Sequence, residues 1–265
     1  MKKMKGPHSS LILIPLGSRP MSTWHILFIS SFGRLFCIMI HPGHIEYRQA
    51  HTVIQLDEEL QIPDISNLLA WFLFEQLWKD DNESDALETH EYNYWYKGKI
   101  KVFNSATTLF YTPSDVSGIH GMWQEIIRST PLWRNEGPCY DCAFMNANLE
   151  MESINGLEVV HILAFFSFHF RGSYYPCAVV HWFNCIGDKP DEDTGMWLVC
   201  PQFNQQHQCG ISIVHIDTIY HAAHLIPMYG KHLVPSNLQP HHSYNRFQLF
   251  YVNKFADHHI FEIAS

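Results

Sequence analysis

The densest run of apolar positions in the chain is LEVVHILAFFSFHFRGSYYPCAVVHWFNCIG (157–187), in which two β-branched and aromatic stretches flank Arg171-Gly172-Ser173. Stretches of that composition around a glycine-containing break predict a long antiparallel hairpin, the spine of the domain. Pro176, early in the second stretch, predicts a bulge or a strand start, because proline has no N–H to give to the ladder. Shorter strand patterns stand at KIKVFNSA (99–106), TLFYT (108–112), GMWLVC (195–200) and GISIVHI (210–216), with a Pro/Ser/Gly-rich loop at PSDVSGIHG (113–121). Helical spacing is rarer. Leu68, Leu69, Phe72, Leu73, Gln76 and Leu77 recur three and four apart after Asp64 and Ser66, either of which can cap a helix. DTIYHAAHLIP (217–227) predicts one short helix capped by Asp217 and ended ahead of Pro227.

These patterns define a mainly β chain, a β-rich α+β fold built as a small antiparallel barrel or sandwich with a few peripheral helices. Three segments follow. Residues 1–55 hold two apolar runs broken by Pro15, Pro20 and Pro42 and read as a poorly determined apolar and basic extension; 56–92 carry the helix and an acidic linker, KDDNESDALETHE; 93–265 form the β-rich C-terminal domain. No repeat is visible at solenoid periods.

With 46% apolar and 14% aromatic residues in 265, the chain can bury a real core. The net charge of −9 is uneven. Residues 1–56 hold Lys2, Lys3, Lys5, Arg19, Arg34 and Arg48 against Glu46, whereas residues 57–93 hold eleven Asp/Glu against Lys79. Such an acidic run repels a phosphate backbone and disfavours nucleic-acid binding by the isolated chain. Seven scattered cysteines do not make a secreted disulfide framework, so the expected setting is reducing and intracellular, nuclear or cytoplasmic. WHILFISSFGRLFCIMI (24–40) is short for a membrane span and carries Arg34 near its centre, and no small-residue cleavage site follows it, so neither a membrane nor a targeting role is favoured.

Candidate chemistry is sparse. Asp257-His258-His259 offers three possible metal ligands, and His221 and His224 would share a face of the helix predicted at 217–227. The plainer reading of the tail is that Asp257 caps or turns the chain while one histidine bonds inward and the other faces water. Cys139 and Cys142 in GPCYDCAF have zinc or redox spacing but no second pair, and the AFM run after them predicts a strand. GDKPDEDTG (187–195) reads as a solvated acidic turn, since the calcium-loop spacing is not matched. No nucleotide-binding or hydrolase motif occurs, and no cofactor and no catalytic residue are expected.

Four long strings, VFNSATTLFYTPSDVSGIHGMWQEIIRSTPLWRNEGPCYDCAFM, HILAFFSFHFRGSYYPCAVVHWFNCIGDKPDEDTGMWLV, VHIDTIYHAAHLIPMYG and FYVNKFADHHIFEIA, together with WFLFEQL, carry a resemblance. Over roughly residues 65–265 the chain resembles the C-terminal region of fungal transposon-encoded proteins of the Plavaka type, relatives of the Kyakuja-Dileera-Zisupton and CACTA-like elements. The resemblance implies a non-catalytic accessory or interaction domain that lies after an RNase H-like nuclease domain absent from this sequence, with the tail as a closing strand. Cys139 stands where a basic residue is expected, so no DNA contact is carried over to it. The hairpin followed by GMWLV is also similar to SH3-like and bromo-adjacent-homology (BAH-like) barrels, which implies protein or chromatin as partners. Tyr175, Trp182, Phe183 and Trp197 are then the candidate binding aromatics. Two alternatives remain open: a metal-dependent hydrolase or nuclease using His221, His224, Asp257, His258 and His259, and a DNA-binding module with a basic face of Lys97, Lys99, Lys101, Arg128, Arg134 and Arg171.

Overall fold

A computed structural model describes residues 26–29, 35–39, 51–78, 94–111, 122–146, 156–204, 208–230, 234 and 236–264. Its strands are β1 (Ile26–Ile29), β2 (Leu35–Met39), β3 (His51–Thr52), β4 (Lys99–Phe103), β5 (Ser105–Tyr111), β6 (Met122–Trp133), β7 (Gly137–Tyr140), β8 (Cys142–Asn146), β9 (Leu157–Phe170), β10 (Ser173–Ile186), β11 (Leu198–Pro201), β12 (Ile211–His215), β13 (Ile219–Ala223), β14 (Leu225–Pro227) and β15 (Phe250–Val252). Among the described residues four α-helices accompany them, α1 (Val53–Leu60), α2 (Ile65–Trp78), α3 (Ser243–Arg246) and α4 (His258–Ile263).

Every pairing among the described strands is antiparallel. One sheet runs β1-β2-β5-β6-β7 and a larger one runs β13-β8-β9-β10-β11-β15-β14, with β12 on β10, β4 on β9 and β3 on β4. Together they make the nearly closed, antiparallel barrel that the strand patterns predict. Asp141 joins the two sheets: its N–H donates to the Arg128 carbonyl (2.9 Å), its carbonyl accepts from Ile162 (3.0 Å), and its carboxylate accepts from the Arg128 N–H (2.8 Å). Two pieces of the apolar stretch at 24–40 enter this architecture as the β1–β2 hairpin, with Phe36 opposite Phe110 where β2 meets β5.

The β9–β10 hairpin is the spine. Arg171 and Gly172 form its turn with φ of 51° and 85°, the left-handed pair that a two-residue turn needs to match strand twist. Pro176 sits inside β10 opposite Ser167, and the register slips further on: Val179 faces Ala164 and Val180 faces Ile162, so Leu163 is the extra residue of a bulge on β9. The slip redirects the strand. Val160 and Ile162 before it, and Phe165 after it, all face the barrel interior with Ala178 and Val180, while Ala164, Phe166 and Phe168 turn outward. Burial on both faces explains the near-continuous apolar sequence.

That outward layer is covered by α1 and α2, which bury Val53, Leu56, Ile65, Leu69, Phe72 and Leu73 against it. Each large side chain so buried contributes about 1.5–3 kcal/mol. A capping box starts α1, with Gln55 N–H donating to Thr52 Oγ1 (3.3 Å) and Thr52 N–H donating to Gln55 Oε1 (3.0 Å). Asp57 then accepts from the Ile65 N–H (2.9 Å), so α1 fixes where α2 begins. A third core cluster, at the other end of the hairpin, gathers Phe144, Phe183, Trp197, Phe250, Ile260 and Ile263.

Two local expectations are overturned. The 217–227 stretch is no helix: a 3-10 turn at Ile216–Thr218 leads into β13 and β14. Tyr220 is unmatched where β13 pairs with β8, so Ile219 and Ala222 face one core and Tyr220 and Ala223 another. A bulge thereby produces the three-residue spacing of a helix from a strand. The tail is likewise no closing strand. β15 ends at Val252, and Asp257 caps α4 by accepting from the Ile260 N–H (2.7 Å), which lets the helix bury His259, Ile260 and Ile263. The loop at 113–121 and the linker at 79–91 lie outside the described residues.

Candidate functional site

The residues singled out in the sequence scatter over several sites. Phe183 and Trp197 are buried in the same core, Tyr175 stacks on Phe168 (centroids 5.3 Å apart), and Trp182 is half-buried with Nε1 donating to Ser212 Oγ (2.6 Å). Packing engages these four rings and leaves them no common exposed face. Among the basic residues, Lys97, Lys99 and Lys101 are exposed. Arg128 pairs with Asp141 (3.6 Å) and lies over Trp133, as Arg134 does, while Arg171 lies over Tyr94. Lys189 pairs with Glu192, and Asp191 accepts from Thr194 Oγ1 and N–H, which makes 187–195 a self-bonded acidic turn.

Cys139 and Cys142 fall on consecutive strands, β7 and β8. Burial, and then the Asp141 carboxylate, push the Cys139 thiol up to about 11, and complete burial pushes Cys142 further up. Both are therefore neutral thiols at physiological pH, poor as ligands or nucleophiles. Cys139, Cys142, Cys177, Cys185, Cys200 and Cys209 are all free.

Three of the five candidate ligands do converge. His221, on β13, is fully buried (0% exposed); its Nδ1 lies 2.8 Å from the Ala222 carbonyl, so that nitrogen carries the hydrogen, and 3.2 Å from Glu125 Oε2. Its Nε2 points inward, 3.8 Å from Asp257 Oδ2, which is beyond hydrogen-bond distance. His259 stacks on Phe110 (4.9 Å, 14°) with Nε2 3.3 Å from the Tyr220 hydroxyl. Phe110 also meets the His221 ring at 4.3 Å. His224 is exposed elsewhere, and His258 is 58% exposed beside Glu262. Among the described residues, no group of three or more His, Cys, Asp or Glu side chains has the arrangement to hold a metal ion.

A second pair of histidines was not singled out in the sequence. His161 on β9 and His181 on β10 are direct cross-strand partners, just below the Leu163 bulge. His161 Nε2 lies 3.1 Å from the Tyr140 carbonyl and His181 Nε2 3.0 Å from the Gln202 carbonyl. A carbonyl only accepts, so each Nε2 carries the hydrogen and each Nδ1 is left as an acceptor. Burial, and then the neighbouring His181, bring His161 down to about 4 against the pull of its Tyr140 bond; burial lowers His181 as well. Both rings are uncharged at neutral pH. In the sequence, His161 lies ten residues before Arg171 and His181 nine after Gly172, an inequality that only the bulge reconciles.

The two rings line a cleft of about 1150 Å³ between the sheet and the turn joining α1 to α2. Glu59 comes from the last turn of α1, Asp64 from the turn between the helices, and Asn67, Leu68 and Trp71 from the first turns of α2. Leu163 and Ile211 supply apolar wall, and among the described residues that line the space none is Lys or Arg. Trp71 is 48% exposed at the rim, with Nε1 donating to Glu75 Oε1 (3.1 Å). Asp64 holds a left-handed φ of 77° and accepts from the Asn67 side chain. Among the described residues, no helix is long and apolar enough to cross a membrane. Comparison with known proteins finds no family model, no curated protein and no solved structure that this chain matches.

Proposed function

We propose that the chain is a non-catalytic interaction domain of a transposon-derived protein, working inside the cell on a protein or chromatin partner that enters the cleft between the α1–α2 turn and the β9–β10 hairpin. The cleft carries this reading. At about 1150 Å³ it exceeds the roughly 300–1,000 Å³ typical of small-molecule pockets, and it combines apolar wall with a few fixed polar groups, as binding sites do. The resemblance of the long strings to Plavaka-type proteins supports the transposon origin, and the six free thiols among the described residues suit a reducing compartment. Selection of a random peptide library on the full chain tests the proposal, with Asn67→Trp as the variant that crowds the cleft from an exposed position. Peptides should be enriched that hold the natural chain and lose the variant. Enrichment that ignores Asn67→Trp, or none at all, would remove the cleft from the argument.

A further inference from the structure

We infer that His221 is a pH-sensitive latch for the C-terminal helix: with both ring nitrogens protonated it ties α4 to the barrel through Asp257, and loss of one proton as pH rises lets α4 open. The device is separate from the cleft, whose lining includes neither residue.

Position is the first argument. His221 is fully buried, with a carboxylate near each ring nitrogen: Glu125 Oε2 of β6 lies 3.2 Å from Nδ1, and Asp257 Oδ2, just ahead of α4, lies 3.8 Å from Nε2. The Glu125 side is fixed. Nδ1 keeps its hydrogen on the Ala222 carbonyl (2.8 Å), and Glu125 Oε2 already accepts the Ala222 N–H (2.9 Å). The Asp257 side is the variable one. Asp257 Oδ1 caps α4 on the Ile260 N–H, whereas Oδ2 stands beyond hydrogen-bond distance of a buried nitrogen that bonds to nothing else.

The proton decides that contact. A bare Nε2 turns its lone pair toward a carboxylate and holds nothing. Nε2–H draws Oδ2 inward by about an ångström into a charge-assisted bond, roughly twice as strong as a neutral one. Two carboxylates beside one ring compensate the charge that the proton brings into the interior. Among the described residues, the other titratable groups against the ring are His259 on α4, its centroid 5.3 Å away, and Tyr220 on β13, whose hydroxyl lies 3.3 Å from His259 Nε2. The proton is held better with α4 docked than open, so docking is strongest at mildly acid pH and weakens as pH rises. Ile260 and Ile263 pack with Phe183, Trp197 and Phe250, so opening this six-residue helix uncovers apolar surface at that end of the hairpin.

The test is native-state hydrogen exchange on the full chain between about pH 5.5 and 8.5, a range that brackets the ordinary charge change of imidazole. After correction for intrinsic rates, amides of residues 258–263 should lose about tenfold in protection, relative to β9 and β10, from the acid to the alkaline end. Asp257→Asn keeps a capping side chain at a partly exposed position and removes the charge, and should flatten that dependence. Nitrogen NMR of the His221 ring should show Nε2 gaining its proton over the range in which α4 gains protection. Protection of 258–263 that ignores pH, or a ring whose protonation does not change over this range, would overturn the inference. So would a dependence that survives Asp257→Asn, which would assign the effect to the exposed His258–Glu262 pair on α4 itself.

Discussion

Two pairs of histidines occupy opposite settings in this molecule. His161 and His181 face a cleft, each bonded through Nε2 to a single main-chain carbonyl, with no carboxylate among those contacts. His221 lies under α4 and His259 on that helix's buried face, and the two are boxed by Phe110, Tyr220, Glu125 and Asp257. The first pair has acceptor capacity to offer a ligand. The second is committed to holding β6, β13 and the C-terminal helix together, so residue type and burial alone do not separate a binding site from a structural joint; the partners of each ring nitrogen do.

The largest expected effect contrasts the pairs by truncation. His221→Ala opens a cavity beside Phe110 and strips Glu125 of a partner, and should cost about 3 kcal/mol in urea unfolding. His161→Ala, at a cleft wall, should cost about 1 kcal/mol. Equal losses would erase the distinction.

Acid sharpens it next. His161 titrates near 4 when folded and near its ordinary 6.5 when unfolded, so the unfolded chain binds the extra proton. Its contribution is complete above about pH 6.5 and is lost as pH falls toward 4, amounting to about 1–2 kcal/mol between pH 7 and pH 5 once the solvent in the cleft is allowed for. His161→Gln should flatten that part of the urea-midpoint profile; an unchanged slope would mean the ring is not held neutral.

The smallest effect concerns the joint's outer edge. Asp257→Ala removes the α4 cap and should cost about 1 kcal/mol, with hydrogen exchange accelerated in residues 258–263 ahead of the barrel strands, and Asp257→Asn should recover most of it. Uniform acceleration would show that α4 does not open separately.

The hairpin, α2 and the short strands at 99–103, 198–201 and 211–215 were legible because their apolar runs are long or cleanly bounded. β13 and α4 were misread for two different physical reasons. A bulge at Tyr220 gives a strand helical spacing, and a six-residue helix rich in His, Ile and Phe shows too few turns to declare its period. β6 left little signal, since its buried Ile127 adjoins exposed Ile126 and Pro131 interrupts it. The capping box at Thr52 and Gln55 was present in the sequence and would have announced α1. The cleft could not be read at all: Asp64, His161, His181 and Asn245 meet only because the chain folds them together.

Leu163 acts on the spine as a single inserted letter acts on a reading frame. Upstream of it, the even-numbered residues Val160 and Ile162 look into the barrel; downstream, the odd-numbered Phe165 does, and the two halves of one strand are written in opposite phase. Deleting Leu163 would therefore not shorten a strand by one residue so much as translate one half of it wrongly. Either His161 would be driven into the barrel or Phe166 and Phe168 would be pulled out from under α2.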